Sequence, residues 1–456
     1  MLKNFEIGRK KALNIIYLKT FYLIVQVKIM LMKCLSGKIK NFKHIIPFLM
    51  TLLFLASPNI FWAQEPQWPW RFVGENFQIT KNSGDHFLPF VVSNNNIYLA
   101  MWYKNTPFGF DIYGARITKE GAVLDKDEIP ICTAANDQMF PSAAWDGENF
   151  LVVWQDKRSG KRWDIYGARV GIDGTVLDPD GIPIVVGRYD QVSPTLSFDG
   201  ENYLVVWQGK RTPKIWNVYF TRVSRNGEVI DNPVPVCPSL KNQASPAVAF
   251  DGQNYFIVWQ DKREGKFWDI YGAKVASSGE ILDNNGIAIS STFEDNSSRG
   301  DKWRPVLSWN GKYYLIVWMV SPMDNKWFLY GQQVSPEGQP LGGVTDLPIQ
   351  RDGTNKVFPA IIWNGTEHFL VWEEEPEGDP KIFGASIIPD YRLDITEIMG
   401  ISTSQVTNAA MPALSMAEDI TLVVWQAKSP EGYWQIYGQC IKKQLEIPSD
   451  SMDLKE

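Results

Sequence analysis

Short apolar runs recur along the chain, and polar turns separate them. "YFIVW", residues 255–259, follows the pair Asp251-Gly252, which supplies the positive φ angles that a tight hairpin needs. "WDIYGAKV", residues 268–275, is rich in strand-forming residues, and "EILDNNGIAIS", residues 280–290, follows another turn. The pattern predicts four short strands and no helical period.

Three landmarks recur seven times in one order, which indicates internal repeats. A tryptophan recurs at spacings of 52, 53, 52, 59, 54 and 53 residues: Trp102, Trp154, Trp207, Trp259, Trp318, Trp372 and Trp425. A proline precedes each tryptophan: Pro89, Pro141, Pro194, Pro246, Pro305, Pro359 and Pro412. An aromatic-glycine pair follows the tryptophan in six repeats, whereas the third repeat has Tyr219-Phe220.

The second strand of each repeat is apolar at consecutive positions, as in "YLVVW", residues 203–207. Both faces of its sheet must therefore be covered by neighbouring sheets. Seven such four-stranded sheets predict an all-β fold, a seven-bladed β-propeller.

Closure of the ring requires a strand for the last repeat, which ends without a full fourth strand. "RFVGENFQIT", residues 71–80, matches a fourth strand, since Ile79 lies ten residues before Pro89 as Ile184 lies ten before Pro194. We expect this N-terminal strand to complete the C-terminal blade, because an open edge is a liability.

The sequence divides into a leader at 1–63, a linker at 64–70, the propeller at 71–447 and a tail at 448–456. Residues 42–64 place basic residues before an apolar run and a small residue, Ala63, as in an export signal. We expect a periplasmic, outer-surface or secreted protein. A membrane anchor is the alternative if the leader is not cleaved, and a start at Met30 or Met32 is a further alternative.

The charge is divided unevenly. Residues 1–63 hold ten Lys and Arg against Glu6, and the remainder holds 35 basic and 50 acidic side chains. An acidic body of this kind disfavours a nucleic-acid partner.

Beyond the leader there are three cysteines, an odd number, and Cys132 and Cys237 occupy equivalent places in non-adjacent repeats, so a disulfide scaffold is not expected.

The repeats resemble the blades of TolB-like bacterial propellers and, more closely, those of uncharacterised secreted bacterial proteins. The resemblance rests on the order P-x-x-x-F-D-G-x-x-Y-x-V-W-x-D-x-R-x-G followed by D-I-Y, over residues 71 to about 447. The chain differs by carrying "AFDG" or "SFDG" where TolB-like blades have Ser-Pro-Asp-Gly. The resemblance implies a binding or scaffolding role at the cell envelope or outside the cell.

The loop between the second and third strands is basic in repeats two to four. In a propeller this hairpin shares a face with the links between blades, where ligands commonly bind. The candidate binding residues are Lys157, Arg158, Lys161, Arg162, Lys210, Arg211, Lys214, Lys262, Arg263 and Lys266, with Trp163, Trp216 and Trp268 for stacking on sugar rings. The sixth repeat is acidic there, with Glu373, Glu374, Glu375, Glu377 and Asp379.

An alternative interpretation makes most of these residues structural. Asp156 and Asp261 would then pair with the arginines, and the tryptophans would fill gaps between blades. A second candidate site is a ring of amides at the channel mouth, formed by Gln138, Gln191 and Gln243, each three residues before a blade proline. Polar linkers that satisfy backbone groups explain the same residues.

Catalytic signatures are sparse in the sequence. Two histidines, His86 and His368, follow the leader, and neither a nucleophile turn nor a phosphate-binding loop occurs. "DPDG" at 178–181 and "DNNG" at 283–286 lack the spaced acidic ligands of calcium loops and are predicted to be turns.

The chain is therefore predicted to be a monomeric binding propeller without cofactors that recognises a protein or an acidic glycan. The alternative is a propeller glycoside hydrolase or lyase with carboxylates at the channel mouth.

Overall fold

The computed structural model describes residues 70–290, 300–322, 326–347, 354–388, 393–396, 398–403 and 406–443. The leader, the linker up to residue 69 and the tail lie outside the described residues. Strands and turns make up nearly all of these ranges, with one 3-10 turn at Pro376–Gly378. Within the same ranges no helix is long and apolar enough to cross a membrane.

Seven antiparallel sheets of four strands form the blades. Blade 1 comprises β2 (His86–Ser93), β3 (Ile97–Thr106), β4 (Gly109–Thr118) and β5 (Ile129–Cys132). Blade 2 comprises β6 (Gln138–Trp145), β7 (Asn149–Asp156), β8 (Asp164–Gly171) and β9 (Ile182–Val185). Blade 3 comprises β10 (Gln191–Phe198), β11 (Asn202–Thr212), β12 (Ile215–Ser224) and β13 (Val234–Pro235). Blade 4 comprises β14 (Gln243–Phe250), β15 (Asn254–Asp261), β16 (Asp269–Ala276) and β17 (Ile287–Ala288).

The remaining three blades follow the same order. Blade 5 comprises β18 (Gly300–Trp309), β19 (Tyr314–Pro322), β20 (Phe328–Val334) and β21 (Pro340–Asp346). Blade 6 comprises β22 (Lys356–Trp363), β23 (His368–Glu374), β24 (Lys381–Ile387) and β25 (Met399–Gly400). Blade 7 comprises β26 (Thr407–Ala417), β27 (Ile420–Lys428), β28 (Trp434–Lys443) and, as its outer strand, β1 (Trp70–Gln78).

The N-terminal strand closes the ring, as the sequence predicted. β1 runs antiparallel to β28, with Trp70 opposite Lys443 and Val73 opposite Cys440. The indole Nε1 of Trp70 also donates to the Ser386 hydroxyl of blade 6 at 2.8 Å. The first strand therefore both completes blade 7 and ties it to its neighbour.

The core lies between blades, because the second strand of each sheet is buried on both faces. In β7, Phe150 and Trp154 pack against blade 1, whereas Leu151 and Val153 pack against blade 3. All seven repeat tryptophans are fully buried. These contacts confirm the prediction that each sheet needs a neighbour on both sides.

The outer strand of blade 4 is shorter than the sequence predicted. In blade 4, Ile281 forms an isolated bridge with Val275, and a turn closed by the Gly286 N–H and the Asp283 carbonyl separates it from β17. The Asp283 carboxylate accepts from the backbone N–H of Lys274 at 2.9 Å, which holds the turn in place. "DPDG" forms the same kind of turn, closed by Gly181 and Asp178.

Candidate functional site

The hairpins between second and third strands share a face with the links between blades. The backbone N–H of Lys157 donates to the Asp137 carbonyl of the preceding link, and Lys210 and Lys262 donate to Asp190 and Asn242 in the same way. We call this side of the propeller the hairpin face. The tight turns between first and second strands lie on the opposite side.

A repeated hydrogen bond joins one blade to the next at six of the seven junctions on this face. In blade 2 the backbone N–H of Trp163 donates to the Asp190 carboxylate at 3.1 Å, and in blade 7 that of Trp434 donates to Asp85 at 2.9 Å. The acceptor lies four residues before the proline of blades 1 to 6: Asp85, Asp137, Asp190, Asn242, Asp301 and Asn355. Each of these side chains accepts a hydrogen bond from a backbone N–H of the preceding blade. Their role on this face is therefore structural.

Arg158 and Arg263 are part of the blades. Arg158 donates to Asp156, whose side chain is fully buried, at 2.7 Å and stacks 3.8 Å from the Tyr166 ring centroid. Its Nη1 donates to the Asp180 carbonyl at 2.6 Å, and the Nη2 that donates to Asp156 also lies 3.5 Å from the Cys132 sulfur. These contacts agree with the alternative interpretation, in which Arg158 pairs with Asp156 and is a structural residue.

Arg263 repeats the arrangement in blade 4. It donates to Asp261 at 2.6 Å and stacks 4.0 Å from the Tyr271 centroid. Burial acts to raise the pKa of Asp261, yet hydrogen bonds from Arg263, Trp259 and Gln243 hold it below the usual aspartate range. The Asp261 carboxylate is therefore ionised, and Arg263 balances its negative charge within the blade.

Lysines cover the three hairpin tryptophans. The ammonium of Lys157 lies 5.5 Å from the Trp163 ring centroid. The equivalent distances are 4.9 Å for Lys210 over Trp216 and 5.4 Å for Lys262 over Trp268. Each pair is a cation–π contact with the ring partly accessible to solvent.

The hairpins of blades 2 to 4 keep an excess of positive charge after internal pairing. Arg162 lies beside Asp164 at 3.5 Å, and Lys210 pairs with Asp190 at 2.5 Å. Within these three described hairpins, six cations have no ion pair, and Glu264 is the acid in the same condition. We call the six the basic arc: Lys157, Lys161, Arg211, Lys214, Lys262 and Lys266.

Two acids of the blade 6 hairpin, Glu374 and Asp379, form ion pairs. Glu374 is buried, pairs with Lys356 at 3.1 Å and accepts from the Trp372 indole at 2.9 Å. Asp379 pairs with Lys381 at 2.7 Å, whereas Glu375 is exposed. The blade 6 hairpin therefore keeps part of the negative charge that the sequence predicted.

Gln138, Gln191 and Gln243 lie inside the blades. All three are buried, and Gln243 donates to the Cys237 carbonyl at 2.8 Å and to Asp261 at 2.9 Å. Gln191 accepts from the Trp207 indole at 2.6 Å, and Gln138 donates to the Ala135 carbonyl at 3.2 Å. The structure does not bring these amides together at the channel.

The first strands line a central channel through a bulge that all seven blades share. The register of β10 against β11 shifts between Val192 and Thr195, and the skipped residues are Ser193 and Pro194. The residue before each proline adopts a positive φ between 47° and 56°: Leu88, Phe140, Ser193, Ser245, Arg304, Phe358 and Met411. This conformation costs an L-residue roughly 1–2 kcal/mol, so the neighbouring structure must hold it.

In six blades the residue after the repeat tryptophan holds the bulge of the next blade. The Gln155 amide oxygen accepts from the Ser193 N–H at 3.1 Å, and Gln260 accepts from Arg304 at 3.1 Å. Four further side chains accept from the equivalent backbone N–H in the next blade. The pairs are Gln208 with Ser245, Gln426 with Leu88, Glu373 with Met411, and the Met319 sulfur with Phe358. Sequence reasoning missed these residues, although the repeated Trp-Gln pairs were a visible signal.

Arg304 is the charged residue among the described lining of this channel, which encloses about 420 Å³. The guanidinium lies 4.7 Å from the Phe358 ring centroid and has no ion pair within the described ranges. Solvent in the channel reaches it, while the surrounding protein desolvates it enough to lower its pKa below the usual arginine value. Both observations describe a cation inside a narrow, mostly apolar passage.

Glu373 is the carboxylate whose negative charge acts on the pKa of Arg304. Burial raises its pKa to about 6, Glu375 acts in the same direction, and Arg304 acts against it. No cluster of three metal-ligating side chains occurs in the part of the chain that the structure describes. The three described cysteines are buried and unpaired.

Comparison with known proteins supports the fold. No model of a known protein family matches the chain, and no curated protein matches it in sequence. The solved polysaccharide lyase Uly1 is similar over 78% of this chain and 90% of its own, with a TM-score of 0.51 and 11% identity. At this identity the similarity concerns the fold alone.

Two further solved structures are more distant. A protein of unknown function from Dyadobacter fermentans aligns with 82% of this chain and all of its own, with a TM-score of 0.49 and 11% identity. An α-L-arabinofuranosidase from Fusarium graminearum covers 81% of this chain and 98% of its own, with a TM-score of 0.44 and 12% identity. The seven four-stranded sheets themselves establish the seven-bladed propeller, whereas the TolB-like family and a bacterial origin stay predictions.

Proposed function

We propose that this protein is a non-catalytic, exported binding propeller that captures an acidic glycan on its hairpin face. One observation carries the proposal: internal pairing neutralises most acids of these hairpins but leaves the six cations of the basic arc without ion pairs, against one unpaired acid, Glu264. A surface of uncompensated lysines attracts a polyanion although the body as a whole is acidic.

The spacing of the arc favours a polymer over a compact ligand. Blades 2, 3 and 4 each present a Lys-Trp pair at an equivalent position, so the contacts repeat from blade to blade. A polymer with a repeated carboxylate or sulfate offers a matching series of charges. An acidic protein partner is the alternative that the experiment must separate.

The test uses the full chain and two polyanions, polygalacturonate and heparin, with dextran as the neutral polymer. Lys157→Gln combined with Lys262→Gln should weaken polyanion binding about tenfold or more, and added salt should weaken it further. The matched control is Lys126→Gln combined with Lys312→Gln, which removes the same charge from exposed lysines outside the basic arc. Equal retention of both double variants, or equal retention on dextran, would refute glycan capture at the arc.

A second candidate function is cleavage of a polysaccharide, as a glycoside hydrolase or a lyase, and it rests on Glu373. Its pKa of about 6 lies in the range of a general acid, and Arg304 is its neighbour. The measurement is release of new chain ends from the same polyanions. Activity that Glu373→Gln abolishes would favour the enzyme, whereas no release by the wild-type chain favours the binding propeller.

A further inference from the structure

The channel lining is divided into a polar and an apolar side. Ser193, Ser245 and Arg304 follow one another in blades 3, 4 and 5. Phe358, Met411, Leu88 and Phe140 occupy the same position in blades 6, 7, 1 and 2. Because the seven residues share one backbone conformation, the division arises from side-chain type alone.

Arg304 has the features of an anion-binding residue. Its backbone N–H is held by Gln260, which fixes where the side chain begins, and its guanidinium contacts the face of Phe358. Glu373 forms no ion pair with it and instead accepts from the Met411 N–H at 3.2 Å. A guanidinium presents a fork of N–H donors that fits an oxyanion in a two-point contact.

We propose that the channel binds a small amphiphilic carboxylate, with its charged group at Arg304 and its apolar body against Phe358, Met411, Leu88 and Phe140. Ser245 lies in the blade next to that of Arg304 and Ser193 one blade further, and both line the channel, so their hydroxyls would supply further donors to the carboxylate. The enclosed volume of about 420 Å³ suits a small molecule. This site is separate from the basic arc, since none of its lining residues belongs to the hairpins.

The experiment titrates the full chain with four probes and follows each by ligand-observed NMR. Benzoate and hexanoate carry a carboxylate on an apolar body, benzyl alcohol lacks the charge, and sulfate lacks the apolar body. We expect benzoate and hexanoate to bind at least tenfold more tightly than benzyl alcohol or sulfate. Sulfate binding as tight as benzoate, or no carboxylate binding up to about 10 mM, would overturn the proposal.

The variants assign the binding to the channel. Arg304→Gln should weaken benzoate at least tenfold, and Arg304→Lys, which keeps the charge without the fork, should give an intermediate loss. The control is Arg71→Gln, which removes an exposed arginine on the outer strand of blade 7 and should leave benzoate affinity within about twofold. Unfolding midpoints of all variants establish that they are folded. Equal losses for Arg71→Gln and Arg304→Gln would contradict the assignment.

Failure here is distinguishable from failure of the proposed function. Polyanion capture depends on Lys157 and Lys262, whereas benzoate binding depends on Arg304. A chain that binds benzoate but no polyanion supports the channel site and rejects the arc. The reverse result rejects the channel site alone.

Discussion

The amide oxygen of Gln426 accepts a hydrogen bond from the backbone N–H of Leu88 at 2.8 Å, although 338 residues separate them in the chain. Gln426 belongs to blade 7 and Leu88 to blade 1, so this contact joins the last blade to the first. It holds Leu88 at a φ of 47°, a conformation that L-residues avoid. The bond is one copy of the contact that links neighbouring blades around the channel.

Replacement of Gln426 by Leu should leave the Leu88 N–H without its partner. We expect a loss of about 1–2 kcal/mol in the free energy of unfolding, measured by denaturant titration. Gln253→Leu, in an exposed turn on the opposite face, is the control and should change stability by less than about 0.5 kcal/mol. A neutral Gln426→Leu variant would show that the bond does not hold the bulge.

Removal of Arg158 should destabilise the fold rather than only weaken binding. Arg158→Gln leaves the buried charge of Asp156 without its main partner, at a cost of about 2–4 kcal/mol. Lys161→Gln, an exposed change in the same hairpin, should cost less than about 0.5 kcal/mol. The double variant Asp156→Asn with Arg158→Gln should recover part of the loss, and strictly additive losses would argue against the pairing.

His368 should make the protein sensitive to acid. Both ring nitrogens are buried without hydrogen-bond partners in the described structure, and burial lowers the pKa from 6.5 to about 3. The unfolded chain therefore binds a proton between about pH 3 and 6.5 that the folded chain does not, so stability falls as pH falls through this range. The expected loss from this group is about 2 kcal/mol between pH 7 and pH 5.

His368→Tyr should remove that loss. Tyr98 and Tyr255 occupy the equivalent position in other blades, and their hydroxyls donate to the preceding blade's carbonyls at Ile420 and Asn202. The comparison is the change in unfolding free energy between pH 7 and pH 5 in the wild type and the variant. This difference cancels other groups, including Glu373, whose raised pKa acts in the opposite direction. An identical pH dependence in both proteins would exclude His368 as the cause.

Ser193→Gly tests whether the bulges store strain. Glycine adopts the φ of 53° without steric cost, so we expect unchanged stability or a gain of up to about 1 kcal/mol. Ser197→Gly, further along the same strand without a positive φ, should cost about 0.5–1 kcal/mol. Losses of the same size at both positions would show that the bulge is not strained.

The sequence by itself determined the number of blades, the strand order and the closure by β1. These features follow from a local repeat in which every copy carries the same landmarks, and from the need to cover both faces of each sheet. The DPDG and DNNG turns were predictable for the same reason, because a turn depends on a few neighbouring residues.

Only the tertiary structure decided which of the repeated polar residues are free. Arg158 and Lys161 lie three positions apart in one hairpin, yet one is locked against Asp156 and the other is exposed. Gln155 reaches the channel bulge, whereas Gln138 turns back to the Ala135 carbonyl of the preceding link. The reason is that these environments depend on the register of one blade against the next, and the residues that meet there are far apart in sequence.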